Sequence, residues 1–195
     1  MDSNPAFDRI YAQLYPESDT LAELLRLQEG LDPQQSGRLV PAKGLHMTII
    51  HFGIINQVWN RLSRAVGTEL TRQVYLRQIE KLVSSWEDCL RSVVVGLEPI
   101  GFTRFGKHGL VLAVEYRPTY EILELHQQCL ARLVTFLQNC RVADPTRFMR
   151  EDYNFTNALT LRPHISLYKG YSGAEPTAEL QNAWLHAAPV TYSGH

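Results

Sequence analysis

The chain has 195 residues and a formal net charge of −1, with 45% hydrophobic and 20% charged residues. This composition is typical of a globular protein that forms one large domain or two small lobes. The near-neutral charge excludes a polycationic surface for long nucleic acid, so any nucleic-acid substrate is expected to be small or held locally.

The cysteines and the apolar runs bear on where the protein works. Cys89, Cys129 and Cys140 have no CxxC spacing and are odd in number, which argues against a disulfide framework and indicates a reducing compartment. No apolar run reaches the about 18 residues of a membrane span. The N-terminus also lacks the basic and apolar segments of a secretory signal. We therefore expect a cytoplasmic protein that does not associate with membranes.

The first 34 residues read as a helical N-terminal extension. Ser18 can cap a segment whose leucines follow helical spacing, and Gly30 and Pro33 close it. The predicted organisation is this extension over residues 1–34, followed by a two-lobed domain over residues 35–195. We expect the helices of the extension to cover an edge of a sheet.

Residues 44–53 form a short apolar run with a glycine at each end, which is typical of a buried strand. Because side chains alternate between the two faces of a strand, His46 and Thr48 are expected to share one face. Met47 and His51 are expected on the opposite face, so His51 is interpreted as structural. One face of this strand therefore presents an imidazole and a hydroxyl two residues apart.

The middle of the chain alternates between helical and strand patterns. Apolar residues at helical spacing predict helices over residues 56–64, 71–91 and 118–139. Shorter apolar runs predict strands over residues 92–97, 101–105 and 109–116. Residues 141–155 are polar and are predicted to be irregular, and the end of the chain is predicted to form a helix over residues 175–187 and a strand over residues 189–192.

A second copy of the strand motif lies at residues 160–169. Alternation there predicts that Arg162, His164, Ser166 and Tyr168 share a face. At ordinary residue frequencies, two strand motifs of histidine, apolar, hydroxyl, apolar arise by chance in about one chain in a hundred. The alternative interpretation is two buried histidines that form hydrogen bonds inside a sheet.

The two echoing motifs predict an α+β fold with two lobes of similar plan. Each lobe is expected to contain a mostly antiparallel sheet with helices on its outer face. The motif strands would then line a central cleft.

The motif residues resemble the 2H phosphoesterase superfamily, in particular its RNA 2′,3′-cyclic phosphodiesterase (2′-5′ RNA ligase-like) branch. In residues 37–53 a proline precedes Leu45, His46 and Thr48, as in the first motif region of that branch. The segment from Pro163 to Leu167 is similar to its Pro-His-x-Thr-Leu motif. The resemblance covers about residues 37–170, and it includes the strand pair at residues 100–114.

The resemblance implies a bilobal α+β fold with pseudo-two-fold symmetry, no metal ion, and both histidines in a central groove. By motif position it implies that His46 and His164 are the catalytic pair and that Thr48 and Ser166 are the phosphate-binding hydroxyls. The family usually opens with a strand, whereas residues 1–34 of this chain read as helix.

The residue types themselves fit phosphoryl chemistry. Cleaving a phosphodiester needs one proton removed from the nucleophile and one delivered to the leaving oxygen, and histidine does either near neutral pH. Thr48 and Ser166 can donate hydrogen bonds to the non-bridging oxygens. Arg162 could pair with phosphate and Tyr168 could stack on a base, so both are possible substrate contacts. No carboxylate or thiolate accompanies His46 at ligand spacing, so we expect neither a metal nor a cofactor.

The sequence therefore predicts a metal-independent phosphodiesterase for a small RNA-type 2′-linked or 2′,3′-cyclic phosphate (oligo)nucleotide. The expected partners are a nucleotide, an oligonucleotide or an RNA end, and the protein is expected to be a monomer. Two alternatives stay open: a non-catalytic nucleotide or RNA-end binding module with the same phosphate pocket, and a metal-dependent hydrolase. The sequence leaves open which histidine is the acid, the physiological substrate and the direction of ring opening.

Overall fold

The computed structural model describes residues 9–31, 37–173, 176–180 and 190–194. In chain order its strands and helices are β1 (Arg9–Pro16), α1 (Ser18–Glu29), β2 (Arg38–Leu39), β3 (Met47–Ile54), α2 (Ile55–Val66), α3 (Arg72–Leu90), β4 (Val94–Leu97), β5 (Pro99–Phe105), β6 (Val111–Tyr116), α4 (Tyr120–Asn139), α5 (Pro145–Glu151), α6 (Tyr153–Thr156), β7 (His164–Lys169) and β8 (Val190–Ser193). Helices alternate with antiparallel strands, and the predicted α+β class is confirmed.

The first described element is a strand, so the prediction of helix over residues 1–34 is wrong for Arg9–Pro16. Its side chains alternate, with Ala12 and Leu14 fully buried between partly exposed neighbours. A period of two is a strand pattern, and it outweighs the local helix signals that follow. The predicted helix is confirmed only in α1, while residues 1–8 and 32–36 of the extension lie outside the described residues.

All eight described strands belong to one sheet, in the order β4-β8-β1-β3-β7-β6-β5, with β2 paired to β7. The prediction divided these strands between two sheets, whereas the strand order joins them in one. The reason is β1, which was read as helix and which stands between β8 and β3 in the strand order. The expectation that N-terminal helices cover an edge left by a missing first strand fails for the same reason.

The chain divides into two compact units. The first unit consists of Met1–Gln13, Ile49–Arg91 and Leu123–Leu161, and the second consists of Leu14–Thr48, Ser92–Ile122 and Arg162–His195. The boundary predicted after residue 34 falls inside a segment of the second unit. The division into an N-terminal extension and a two-lobed domain stays a prediction.

The first unit packs helices around an aromatic cluster. The ring of Phe52 lies edge-on to Phe136 and Phe155, with centroids 5.3 and 5.6 Å apart. The Tyr75 hydroxyl donates to the carbonyl of Ile55 over 2.7 Å. Buried rings packed in this way contribute much of the stability of a core.

Two predictions about helices in the first unit have different outcomes. The helices predicted over residues 71–91 and 118–139 correspond to α3 and α4. Residues 141–155 were predicted to be irregular but contain α5 and α6. Asp144 caps α5 by accepting from the Arg147 amide over 2.9 Å, and Pro145 occupies its first turn, where proline is tolerated. The helix predicted over residues 175–187 lies largely outside the described residues.

In the second unit, β6 separates a buried face from a partly exposed one. Leu112, Val114 and Tyr116 are fully buried, whereas Val111 and Glu115 are partly exposed. We call the side of the sheet that carries Val111 and Glu115 the open face. The candidate site lies on it.

Candidate functional site

The first motif lies where β3 begins. His46 and Thr48 are partly exposed, while Met47 is fully buried and Ile49 is 3% exposed. The alternation predicted for this stretch is therefore confirmed over residues 46–49. His51 lies against Tyr11 in the first unit, with ring centroids 5.1 Å apart.

The structure brings the two motif strands side by side. β3 and β7 pair antiparallel with Met47 opposite Ile165, and both of these side chains are fully buried. Continuing this register places the histidine of one motif opposite the hydroxyl of the other. The facing pairs are His46 with Ser166 and Thr48 with His164. Because directly opposite residues share a face and have Cβ atoms about 4.5–5.5 Å apart, the four predicted residues form one cluster.

The His164 imidazole is held by its own strand and by a neighbouring ring. Its Nδ1 lies 2.7 Å from the carbonyl oxygen of Arg162. Since a carbonyl only accepts, Nδ1 carries the proton and Nε2 is the free acceptor of the neutral ring. Phe105 stacks on the imidazole, with ring centroids 4.0 Å apart and an interplanar angle of 25°. Both contacts fix the orientation of the ring.

The Arg162 side chain is engaged by protein groups. Its guanidinium forms a two-pronged pair with Glu115, in which Nη2 and Oε2 are 2.7 Å apart. Nη2 also donates to the Thr103 hydroxyl over 3.0 Å, and the guanidinium carbon lies 4.6 Å from the centre of the Phe105 ring. The predicted contact between Arg162 and phosphate stays a prediction, and the contacts present here position the stack on His164.

The surroundings of His46 are different. The ring of Tyr15, on β1, lies with its centroid 6.4 Å from that of His46, and the backbone of Gly44 forms a hydrogen bond with the imidazole. The charges that act on His46 are those of Lys169 and His164.

Burial lowers the pKa of both histidines from the usual value of 6.5. For His46, the positive charge of Lys169 lowers the pKa further, and the hydrogen bond to Gly44 opposes the shift. For His164, the Arg162 carbonyl opposes the shift, the Arg162 charge adds to it, and the Glu115 carboxylate raises the pKa. Both imidazoles are therefore mostly neutral at pH 7 in the free protein.

A β-bulge in β7 changes which side chains follow Ser166 on the open face. In the pairing with β6, Ala113 lies opposite Ser166 and the next residue, Leu112, lies opposite Tyr168. Leu167 therefore has no residue opposite it in this pairing. The alternation shifts by one residue at such a bulge, and Tyr168 is only 4% exposed. The expected position of Tyr168 on the histidine face is wrong, and its contact with substrate stays a prediction.

The same shift moves Lys169 to the open face. Lys169 lies opposite Val111, which is partly exposed, and its charge acts on His46. The side-chain Nε2 of Gln28, on α1, holds the bulge by donating to the carbonyls of Val40 and Leu167 over 2.8 Å each. Helix α1 thus fixes the place of Lys169.

Several neighbours of the motifs were not predicted as site residues. Glu115 is a charged residue inside the apolar run of β6, which is a sequence signal for a polar role. Tyr15 follows the period-two pattern of β1, so a strand assignment there would have placed it on a partly exposed face. Phe105 ends the strand predicted over residues 101–105, and the sequence gives no signal for its contact with His164.

Two kinds of feature are absent from the described residues. No group of three or more histidine, cysteine, aspartate or glutamate side chains there could hold a metal ion. No helix in the same part of the chain has both the length and the apolar character needed to cross a bilayer.

Solved structures share this fold. TT0787 of Thermus thermophilus matches with a TM-score of 0.53 and 16% identity, over 96% of this chain and 82% of that chain. E. coli LigT in its apo form matches with a TM-score of 0.50 and 13% identity, over 90% of this chain and 81% of that chain. E. coli LigT complexed with 3′-AMP matches with a TM-score of 0.51 and 13% identity, over 89% and 81%. The sequence matches no protein-family model and no curated protein.

At these identities the likeness concerns the fold. It bears out the α+β fold class that the sequence predicts.

Proposed function

We propose that this protein is a 2H-type phosphodiesterase that cleaves a small RNA-type 2′-linked or 2′,3′-cyclic phosphate (oligo)nucleotide without a metal ion. The observation that supports this most directly is the antiparallel pairing of β3 and β7 at Met47 and Ile165. It sets two imidazoles and two hydroxyls in one cluster on a partly exposed face. A fold shared with E. coli LigT, which has been crystallised with 3′-AMP, supports a nucleotide as the ligand.

His46 and His164 act as general base and general acid. One imidazole removes a proton from the attacking water as the water oxygen bonds to phosphorus. The bond from phosphorus to the leaving oxygen breaks, and the other imidazole gives that oxygen its proton. The two histidines exchange protonation states, and solvent restores them.

Substrate binding supplies the protonated histidine that this step needs. Both imidazoles are mostly neutral in the free protein, because burial lowers their pKa. A bound phosphate anion favours the charged form of a nearby imidazole and so raises its pKa. Thr48 and Ser166 donate hydrogen bonds to the non-bridging oxygens and stabilise the negative charge that builds there.

The test is hydrolysis of 2′,3′-cyclic nucleotides and of 2′-5′ and 3′-5′ dinucleotides with excess chelator. We expect turnover that survives the chelator and that is lost in His46→Ala and in His164→Ala. His108→Asn is the matched control, because His108 is exposed and asparagine tolerates its positive φ of 61°. Thermal unfolding of each variant shows whether the fold is intact.

Two other outcomes of this test would support the two alternative functions. Activity abolished by chelator and restored by a divalent ion would indicate a metal-dependent hydrolase. Nucleotide binding without turnover, weakened in both histidine variants, would indicate a binding module.

A further inference from the structure

Two cations face each other beside the histidine cluster. β2 pairs antiparallel with the end of β7, and Arg38 lies directly opposite Lys169. Both residues are exposed. Opposite residues of an antiparallel pair lie on the same face, with Cβ atoms about 4.5–5.5 Å apart. Arg38 and Lys169 therefore form a cation pair on the open face.

The backbone is built to allow this pairing. Gly37 has a φ of +124°, and a Cβ at this position would lie 2.5 Å from the Lys169 carbonyl oxygen. Only glycine accepts both this conformation and this close approach. Together with the bulge at Leu167, which Gln28 holds, Gly37 sets the two cations side by side.

The pair has no acidic partner in the part of the chain that the structure describes. No ion pair there involves Arg38 or Lys169. The residue opposite Lys169 on its other side is the apolar Val111. Like charges directly opposite each other destabilise a sheet, so this arrangement is suited to an anion that binds between them.

The cation pair also lies close to the reacting groups. The charge of Lys169 acts on His46, and Lys169 follows Ser166 on the open face of β7. An arginine offers a planar fork of donors that matches phosphate oxygens, and a lysine adds a point charge. A single substrate can therefore contact both the cation pair and the histidine cluster.

We propose that Arg38 and Lys169 bind a second phosphate of the substrate, distinct from the phosphate that His46 and His164 cleave. This inference rests on the proposed function and narrows it. The substrate class is a nucleotide or short oligonucleotide that carries at least two phosphate groups.

The first test is binding, which needs no turnover. Isothermal titration compares adenosine 2′- and 3′-monophosphate with adenosine 2′,5′- and 3′,5′-bisphosphate at one fixed salt concentration. We expect wild type to bind at least one bisphosphate about tenfold or more tightly than the matching monophosphate. In Arg38→Gln/Lys169→Gln this preference is expected to fall below about threefold.

The control removes two exposed cations elsewhere. Lys81→Gln/Arg91→Gln makes the same change in net charge in the first unit. We expect its bisphosphate preference to equal that of wild type. No preference in wild type, or the same preference in Arg38→Gln/Lys169→Gln as in wild type, would overturn the second phosphate site.

A second experiment, which measures turnover, distinguishes the proposed phosphodiesterase activity from the proposed second phosphate site. Adenosine 2′,3′-cyclic phosphate is compared with the same compound carrying a 5′-phosphate, and kcat/KM is measured for each. We expect wild type to favour the 5′-phosphorylated compound and the double variant to lose that advantage. One outcome would refute the proposed phosphodiesterase activity and still support the second phosphate site. In that outcome no compound is turned over, and the preference for a bisphosphate is lost only in Arg38→Gln/Lys169→Gln.

Discussion

The two motifs are near copies in sequence, yet the structure gives their histidines different charged neighbours. His164 lies under the Phe105 ring, and two opposed charges act on it: the Arg162 cation lowers its pKa and the Glu115 carboxylate raises it. His46 lies beside the cation of Lys169 and near Tyr15. An adjacent carboxylate favours the protonated imidazole, and an adjacent cation favours the neutral one. The neighbouring strands, and not the motifs themselves, therefore distinguish the two histidines, and we expect His46 to be the base and His164 the acid.

The largest expected effect tests whether both motifs take part in the reaction. We expect His46→Ala and His164→Ala each to lower kcat/KM by about 100-fold or more, because general acid–base groups contribute 10²–10⁴-fold in rate. The double variant should lose little more than either single variant, since residues that act as a unit are not additive. Steady-state hydrolysis of the best substrate measures this, and full activity in either single variant would refute the two-histidine mechanism.

The next effect concerns the support of His164 alone. We expect Phe105→Leu to lower kcat up to about tenfold with little change in KM, because a stacked aromatic pair is worth about 0.5–1.5 kcal/mol and it orients the imidazole. Phe105→Tyr keeps the stack and should keep kcat.

Phe102→Leu is the matched control for Phe105→Leu. Phe102 lies on the same strand, opposite the buried Val114. Its loss should affect stability without a selective loss of kcat. A fall in kcat equal to that of Phe105→Leu would show that general packing, and not the stack on His164, is responsible.

A third prediction addresses the bulge that distinguishes β7 from β3. We expect Gln28→Leu to lower the free energy of unfolding by about 1–3 kcal/mol, because the carbonyls of Val40 and Leu167 lose a buried donor. Urea unfolding measures it. The exposed residue Gln127 gives the control, since Gln127→Leu should change stability by less than about 0.5 kcal/mol. Equal effects of the two substitutions would contradict the role of Gln28.

The contrast between the motifs could be predicted only in part. The four motif side chains and their alternation follow from a local period of two, so His46, Thr48, His164 and Ser166 were predicted from the sequence. The strand β1 could also have been predicted, because the alternation of its side chains with a period of two is present in the sequence. The helix signals at Ser18 were given too much weight over that pattern.

The bulge and the charge partners could not be predicted in this way. The bulge at Leu167 depends on Gln28, which is 139 residues away in the chain. The pair that supports His164 joins Arg162 to Glu115 across 47 residues. Such contacts are decided by strand order and register, which a single sequence does not specify. The position of Tyr168 was wrong for that reason.

The smallest expected effect is a shift in the pH dependence of activity. It tests most directly whether Glu115 and Lys169 change the pKa values of His164 and His46. Glu115 is ionised near neutral pH, because the hydrogen bond from Arg162 lowers its pKa. Glu115→Gln removes a charge that raises the pKa of His164, so that pKa falls. Lys169→Gln removes a charge that lowers the pKa of His46, so that pKa rises.

The direction of these shifts in a plot of kcat/KM against pH assigns the roles, because activity is lost below the pKa of the base and above that of the acid. If His46 is the base and His164 the acid, Glu115→Gln moves the alkaline limb of the profile to lower pH. Lys169→Gln then moves the acidic limb to higher pH. Both substitutions then narrow the profile, which is the result we expect. A broader profile in both would reverse the two roles. Limbs that stay in place in both variants, as they should in the remote control Asp88→Asn, would show that neither neighbour tunes its histidine.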